Sequence, residues 1–490
     1  MNLYFSDVFK VRPSTIERYG AFNISLVSDL PLFIDPFLLF NSTKRRYRKL
    51  HDQIIDYLAF LRDKSVMHDT HSEGLLKAWY HFPEVRQTWL GFTRTGNSGS
   101  GLGRKFALAL HSNLHKIFTN FGNERITRAS HLEKLCLIQD GVGRDNISDF
   151  TANLIRNFLL EYTQTFAVRH ISAEQRRVVS VPKVTFNYDT EVWEPKSFDL
   201  PHYAGEYVLL TPTDMLTKDD TWINKTDLLR EFDEIPDAIP NEQLRAQINN
   251  YFLKKIPARR RDEPTKKDRT KAAFATLQKF PELIDFFIKH KEDNGDRAVR
   301  VSQEKIAQSK QLYFQQFRQL VEMLEHKSTF YDVSGSTYDE CHVRIKFLKD
   351  VIENKGGHKI FYLNGRARLR EEDVHVLYRL TWYATPSDVS REVNDGRGPA
   401  DFKISRGSAD KTIVEFKLAR NSKLKSNLLK QVPIYKEASD AANALKVIIY
   451  FTKKEERRVQ EILKELKLDK DRDIILIDAR KDNKPSASKA

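Results

Sequence analysis

The strongest constraint on the fold is a succession of short apolar runs between residues 388 and 478, separated by glycine-rich turns and amphipathic segments. Five runs have the length and composition of strands: 388–394, 400–405, 411–419, 446–452 and 473–478. Apolar residues recur at helical spacing in four others: 337–354, 370–384, 425–439 and 454–468. The turns NDGRGP and RGSAD separate the first three strands. This order of helix, three-strand meander, helix and strand predicts an α/β domain.

Three charged residues lie on these apolar runs. Asp401 opens the second strand, and Glu415 and Lys417 lie two positions apart on the third, so both leave one face while Phe416 faces the other. If the two strands form a hairpin, Asp401 lies beside Glu415. Two adjacent carboxylates repel each other, and burial strengthens the effect. A divalent cation with oxygen ligands, Mg²⁺ or Mn²⁺, would relieve it.

A lysine beside such a metal can orient a water molecule and offset charge that develops on a phosphate. The segments GPADF and VEFK, which contain these residues, resemble the motif of the PD-(D/E)XK nuclease superfamily over roughly residues 336–480. The resemblance implies a restriction-endonuclease-like αβββαβ core. It also implies that Asp401, Glu415 and the backbone carbonyl of Phe416 bind the metal, and that Lys417 positions or activates the attacking water.

The superfamily often carries another acidic residue on the helix before the meander. Glu371 is preferred for this role because it is three residues before Val374 on the apolar face of that helix. Glu372 and Glu392 are alternatives, and a solvated glutamate in the first helical turn is the other interpretation of Glu371. His375 is interpreted as structural.

A second element follows the lysine. Gln431 and Tyr435 are four residues apart and resemble the Q-x-x-x-Y element of the RecB-like branch, where such residues lie near DNA, although Pro433 departs from that pattern. Three basic residues nearby are predicted to contact phosphates, with solvation of the surface as the alternative: Arg420, Lys423 and Lys425.

The whole chain divides by composition into five units. These are a mixed α/β N-terminal region of recognition or regulation (1–253), a basic linker (254–271), a helical connector (272–330), the nuclease domain (331–480) and a disordered basic tail (481–490). Within the first unit, helices are predicted over 46–64, 103–122 and 147–168, and strands over 178–188 and 207–212.

The amino-acid composition restricts the class of binding partner. The formal net charge is +14 and the isoelectric point about 9.4, which favours a polyanion. The two cysteines lie far apart in the sequence and form no C-x-x-C pair, which argues against a disulfide framework. No apolar run approaches the length of a membrane span, so we expect a cytoplasmic protein without a membrane.

Together these features predict a metal-dependent DNA endonuclease that resembles enzymes of prokaryotic anti-phage defence or restriction. The alternatives are an RNase, a DNA-repair nuclease of the same fold, and an inactive nucleic-acid-binding or scaffold protein. A homo-oligomer is expected because cutting both strands of a duplex needs two sites. A partner protein encoded in the same operon is a further expectation.

Overall fold

The structure is a computed structural model of the 490-residue chain. The residues that it describes are 3–67, 72–91, 107–108, 110–111, 114, 124–138, 142–218, 220–232, 234–257, 265–319, 322, 335–354, 357–363, 366–367, 371–380, 382, 385, 387–391, 401–407, 410–429, 441 and 443–484. The chain is a mixed α/β protein with a five-stranded sheet near its C-terminus. No helix among the described residues combines the length and apolar character that a membrane span requires.

The N-terminal region is mainly helical and carries one long hairpin. Its helices are α1 (Phe5–Val8), α2 (Pro13–Tyr19), α3 (Pro36–Phe40), α4 (Arg45–Met67), α5 (Glu73–Leu75, continued by a π-helical turn to Tyr80), α6 (Lys134–Ile138), α7 (Arg144–Leu154), α8 (Arg156–His170) and α9 (Lys225–Arg230). Its strands are β1 (Leu32–Ile34), β2 (Arg176–Asn187), β3 (Val192–Tyr203), β4 (Glu206–Tyr207) and β5 (Leu216–Lys218). Strands β2, β3 and β4 form an antiparallel sheet, and β1 pairs with β5.

Two predictions for this region need correction. The helix predicted over 147–168 is divided between α7 and α8 at Ile155. One turn before the break, the Thr151 hydroxyl donates to the Ile147 carbonyl, an interaction that bends helices. The strand predicted over 207–212 continues β4 only at Tyr207. Beyond it, the N–H of Leu209 donates to the Gln87 carbonyl and that of Leu210 to the Thr163 hydroxyl, so these donors are satisfied without a strand partner.

A helical segment joins the two regions. It comprises α10 (Glu242–Lys255), α11 (Lys266–Lys279), α12 (Glu282–Asp293) and α13 (Gly295–Lys310), which a π-helical stretch continues to Phe317. The predicted basic linker overlaps both α10 and α11, and its residues 258–264 lie outside the described part of the chain. The predicted helix 103–122 lies largely outside it as well.

The C-terminal region contains the predicted meander. Its elements are α14 (Thr337–Asn354), a 3₁₀ turn (Gly357–Phe361), β6 (Tyr362–Leu363), β7 (Arg366–Ala367), α15 (Glu371–Leu380), β8 (Asp388–Arg391), β9 (Phe402–Arg406), β10 (Asp410–Leu418), β11 (Asn443–Tyr450), α16 (Lys453–Glu465) and β12 (Ile474–Asp478). The sheet order is β12-β11-β10-β9-β8. Strands β8, β9 and β10 pair antiparallel, whereas β10, β11 and β12 pair parallel.

Helices cover both faces of this sheet. On one face, the ring of Phe416 lies 4.6 Å from that of Tyr378 on α15. On the other face, Ile448 packs with Val459 and Ile462 of α16. Buried apolar residues from Leu3 to Ala479 form one continuous core, so the N-terminal region and the sheet are packed together. In the predicted tail, Lys484 contacts the Asp478 carboxylate at 3.3 Å, and residues 485–490 lie outside the described part.

A buried network of ion pairs and hydrogen bonds connects α14 to the strand meander. The carboxylate of Glu340 accepts hydrogen bonds from Arg344 (2.8 Å), Thr385 (2.8 Å) and Ser387 (2.7 Å) and also from the Arg406 guanidinium. Burial opposes ionisation of Glu340, but these donors outweigh it and lower the pKa of the carboxyl. The stabilisation that Glu340 provides is therefore complete above the ordinary pKa of a glutamate and is lost as the pH falls through the lowered pKa.

We expect Glu340→Gln to lower the free energy of unfolding by roughly 3–5 kcal/mol, because the substitution leaves the buried Arg344 without a counter-charge. Chemical denaturation at neutral pH measures the loss. The matched control is Glu465→Gln, which removes an exposed ion pair with Lys425 and should change stability little. Equal effects of the two substitutions would contradict this role of the buried network.

Candidate active site

The predicted carboxylates lie near the junction between the antiparallel and parallel parts of the sheet. Val414 of β10 is opposite Phe402 of β9. Glu415 follows Val414 on β10, and Asp401 directly precedes β9. The two residues are buried, with 4% and 9% of their surfaces exposed. Period-two alternation puts Glu415 and Lys417 on the same face of β10, as predicted from the sequence.

Asp401 is held by contacts from three directions. Its Oδ2 accepts a hydrogen bond from the backbone N–H of Phe416 (2.7 Å), and Lys417 Nζ lies 3.2 Å from the same oxygen. His375 Nε2 approaches that oxygen from α15, also at 3.2 Å. Burial raises the pKa of Asp401, but the charges of His375 and Lys417 and the Phe416 hydrogen bond outweigh it and hold the pKa well below its usual range.

A second buried lysine accompanies Glu415. Lys446 of β11 is the register partner of Glu415 in the parallel pair, so both side chains leave the same face. Its Nζ donates to the Leu428 carbonyl at 2.9 Å. Burial lowers the pKa of Lys446 to about 8, although the nearby Glu415 and Asp471 carboxylates oppose that effect. The site thus combines two carboxylates with two lysines and one histidine.

Sequence reasoning missed two members of this group. The sequence analysis assigns His375 a structural role, although its position four residues after Glu371 puts the two on one face of the helix. Lys446 lies in an apolar run and was not considered. A lysine inside a buried strand pattern is an unusual feature, and that signal could have drawn attention to Lys446.

The other predicted site residues are distributed as follows. Glu371 is the first residue of α15, but its side chain and that of Glu372 lie outside the described part, as do Glu392, Gln431 and Tyr435. Among the basic residues, the Arg420 guanidinium lies 5.8 Å from the centre of the Phe451 ring, Lys425 pairs with Glu465 and Lys423 is exposed. Across the described residues, no three His, Cys, Asp or Glu side chains are grouped to hold a metal ion by themselves.

The N-terminal region contacts the same helix that carries His375. Asp373 of α15 is fully buried, and its Oδ1 lies 3.0 Å from Lys218 Nζ of β5 and 2.8 Å from the Tyr313 hydroxyl. Arg379 of the same helix donates to the Val27 carbonyl (3.3 Å) and to the Val389 carbonyl (2.6 Å). Helix α15 is therefore bonded to the N-terminal region through Asp373 and Arg379 and to the site through His375.

Two families match the chain. Residues 10–224 match the family described as "Domain of unknown function (DUF8370)", and residues 337–453 match the one described as "Domain of unknown function (DUF8371)". The second match includes Asp401, Glu415 and Lys417, whereas Lys218 falls within the first. Comparison with the curated proteins and with the solved structures finds no match.

We expect Lys218→Met to destabilise the protein by roughly 3–5 kcal/mol, because it leaves the Asp373 carboxylate buried without its cation. The double variant Lys218→Met/Asp373→Leu should recover part of that loss, and a double-mutant cycle in chemical denaturation gives the coupling energy, expected at about 1–3 kcal/mol. Lys44→Met, which breaks the more exposed pair with Asp214, is the control. If the losses of stability caused by the two single substitutions simply add in the double variant, the Lys218–Asp373 pair does not stabilise the contact.

Proposed function

We propose that this chain is a metal-dependent nuclease of the PD-(D/E)XK kind that hydrolyses phosphodiester bonds in DNA. The observation that carries the proposal is the buried Asp401 carboxylate, which lies 3.2 Å from Lys417 Nζ on the strand that also carries Glu415. Two of the three charged residues of the sequence pattern, Asp401 and Lys417, are in contact. The helix–meander–helix–strand order around them is the arrangement expected of such a core.

The donor set fits a divalent cation. Mg²⁺ in phosphate-processing sites is bound by one or two carboxylates together with water and substrate phosphate. Asp401 and Glu415 would supply the two carboxylates, and water and substrate phosphate would supply the remaining ligands. A cation bound there would polarise the scissile phosphate and favour ionisation of a water molecule.

The protein groups have separate tasks in this proposal. The Phe416 N–H fixes the orientation of the Asp401 carboxylate. The Lys417 ammonium, which neutralises Asp401 in the structure, is positioned to hold the attacking water and to offset negative charge on the phosphate. Lys446, the register partner of Glu415, offsets the charge of that carboxylate. Arg420 and Lys423 would contact the substrate backbone beyond the site.

The first experiment incubates the full-length protein with plasmid DNA and, separately, with total RNA, in Mg²⁺, in Mn²⁺ and in EDTA. We expect cleavage of DNA that needs the metal and falls by at least about 100-fold in Lys417→Met, because the ammonium offsets charge in the transition state. Lys464→Met, an exposed lysine on α16, is the matched control and should cleave normally.

Each other outcome of this experiment has a distinct meaning. Cleavage of RNA alone would identify RNA, and not DNA, as the substrate. Cleavage that survives in EDTA or in Lys417→Met would reject the site. Failure of the wild-type protein to cut either polymer under every metal condition would reject a constitutive nuclease and favour the scaffold alternative.

Metal binding provides an independent test by calorimetry with Mn²⁺. Because the Lys417 ammonium lies against Asp401 where a cation would compete with it, we expect Lys417→Met to bind Mn²⁺ at least as tightly as the wild type. Asp401→Asn should abolish binding and Glu415→Gln should weaken it at least about tenfold, since each removes a charged oxygen ligand. Asp469→Asn, on an exposed loop, is the control; binding that persists unchanged in Asp401→Asn would exclude this metal site.

A further inference from the structure

A cleft in the N-terminal region has the character of a ligand site that the proposed cleavage chemistry does not use. It opens between α4 and α8 beside the β2–β3 hairpin and has a volume of about 290 Å³. Small-molecule sites in proteins begin at about 300 Å³. All of its lining residues lie between Arg46 and Trp193, so the cleft belongs to the N-terminal region and not to the C-terminal sheet.

Aromatic side chains form the wall of the cleft. Tyr57 and Phe158 are buried, whereas Phe186 and Trp193 are only partly covered, and Tyr188 is 48% exposed. The Trp193 indole donates to the Tyr57 hydroxyl at 3.1 Å, and its ring lies 5.3 Å from that of Phe186. These contacts hold the indole in a fixed orientation. A rigid, partly exposed aromatic wall is the type of surface on which a flat heteroaromatic ring stacks.

Cationic and hydrogen-bonding groups form the mouth of the cleft. Arg46, Lys49 and Gln53 follow one another on the face of α4 that borders it. The Arg46 guanidinium lies 4.3 Å from the centre of the Phe158 ring and 3.7 Å from the Glu161 carboxylate. Guanidinium and ammonium groups bind phosphate, and an amide can bond the edge of a base.

The cleft is lined by two cations, Arg46 and Lys49, and by one carboxylate, Glu161, so its net charge favours an anionic ligand. The first turn of α4 contains no acidic residue and begins with Arg45 and Arg46, followed by Arg48. Cations at this end of a helix are opposed by the helix dipole, so an anion bound to Arg46 would relieve an unfavourable arrangement. A purely apolar ligand would not use these groups. A ligand with a flat aromatic part and a phosphate uses both the wall and the mouth.

We propose that this cleft binds a nucleotide, with the base stacked on the wall formed by Phe186 and Trp193 and the phosphate held by Arg46 and Lys49. The nucleotide has two sources with the same chemistry, a free mononucleotide or one unpaired nucleotide of a strand. The cleft gives the N-terminal region a recognition task that is separate from cutting. The inference does not rest on the nuclease proposal.

The test measures binding to the full-length Lys417→Met protein in EDTA, so that cleavage does not interfere. The probes are the four ribonucleoside monophosphates, the four deoxyribonucleoside monophosphates, and short single-stranded DNA and RNA oligonucleotides. We expect Trp193→Leu to weaken binding at least about tenfold and Trp193→Phe to retain it, because stacking needs an aromatic ring. Arg46→Gln/Lys49→Gln should also weaken binding at least tenfold and reduce its salt dependence.

Controls separate the cleft from other surfaces and from misfolding. Arg18→Gln, an exposed arginine of α2 outside the cleft, should bind as the parent does. The Arg46→Gln/Lys49→Gln variant alters only exposed side chains, so it tests the cleft even if Trp193→Leu does not fold.

The probes also distinguish the two sources. Binding of monophosphates that depends on Trp193 and Arg46 assigns a free nucleotide. Binding of oligonucleotides alone, with the same dependence, assigns an unpaired nucleotide of a strand. The proposal is overturned if neither probe binds, or if the cleft variants bind as tightly as the parent. Because cleavage is assayed separately with metal present, the nuclease proposal and this one can fail independently.

Discussion

The C-terminal site depends on keeping one carboxylate ionised where it is nearly excluded from water. Burial alone would favour the protonated form of Asp401. The fold instead directs a lysine, a histidine and a backbone N–H at Asp401. These three donors come from two elements, β10 and α15, so the charge state of Asp401 requires the strand and the helix to stay in contact.

Helix α15 also connects the site to the N-terminal region. Its buried Asp373 pairs with Lys218 from the N-terminal region, while His375, two residues later, contacts Asp401. When the two partners of a buried ion pair separate, each charge is left buried without a counter-charge, which is costly. Movement of the N-terminal region would therefore act on the helix that carries His375. The continuous core between the two regions has the same consequence.

The two proposed sites use different physical means. In the C-terminal site, charges are concentrated on neighbouring strands, as chemistry on a phosphate needs. In the N-terminal cleft, an aromatic wall is combined with cations at the mouth, as recognition without chemistry needs. A chain with a net charge of +14 has a favourable overall potential for either ligand, but net charge alone specifies neither site.

Local pattern was sufficient to predict the C-terminal strands and the common face of Glu415 and Lys417, because a strand alternates its side chains with a period of two whatever surrounds it. The helix predicted over 337–354 likewise has the bounds of α14. What sequence could not reveal were contacts between distant segments, such as His375 with Asp401, Lys446 opposite Glu415 and Glu340 with Arg406. The strand wrongly predicted over 207–212 has the same explanation, since its N–H groups find partners at Gln87 and Thr163. Periodicity determines which side chains share a face, and only the packing of the whole chain decides what that face meets.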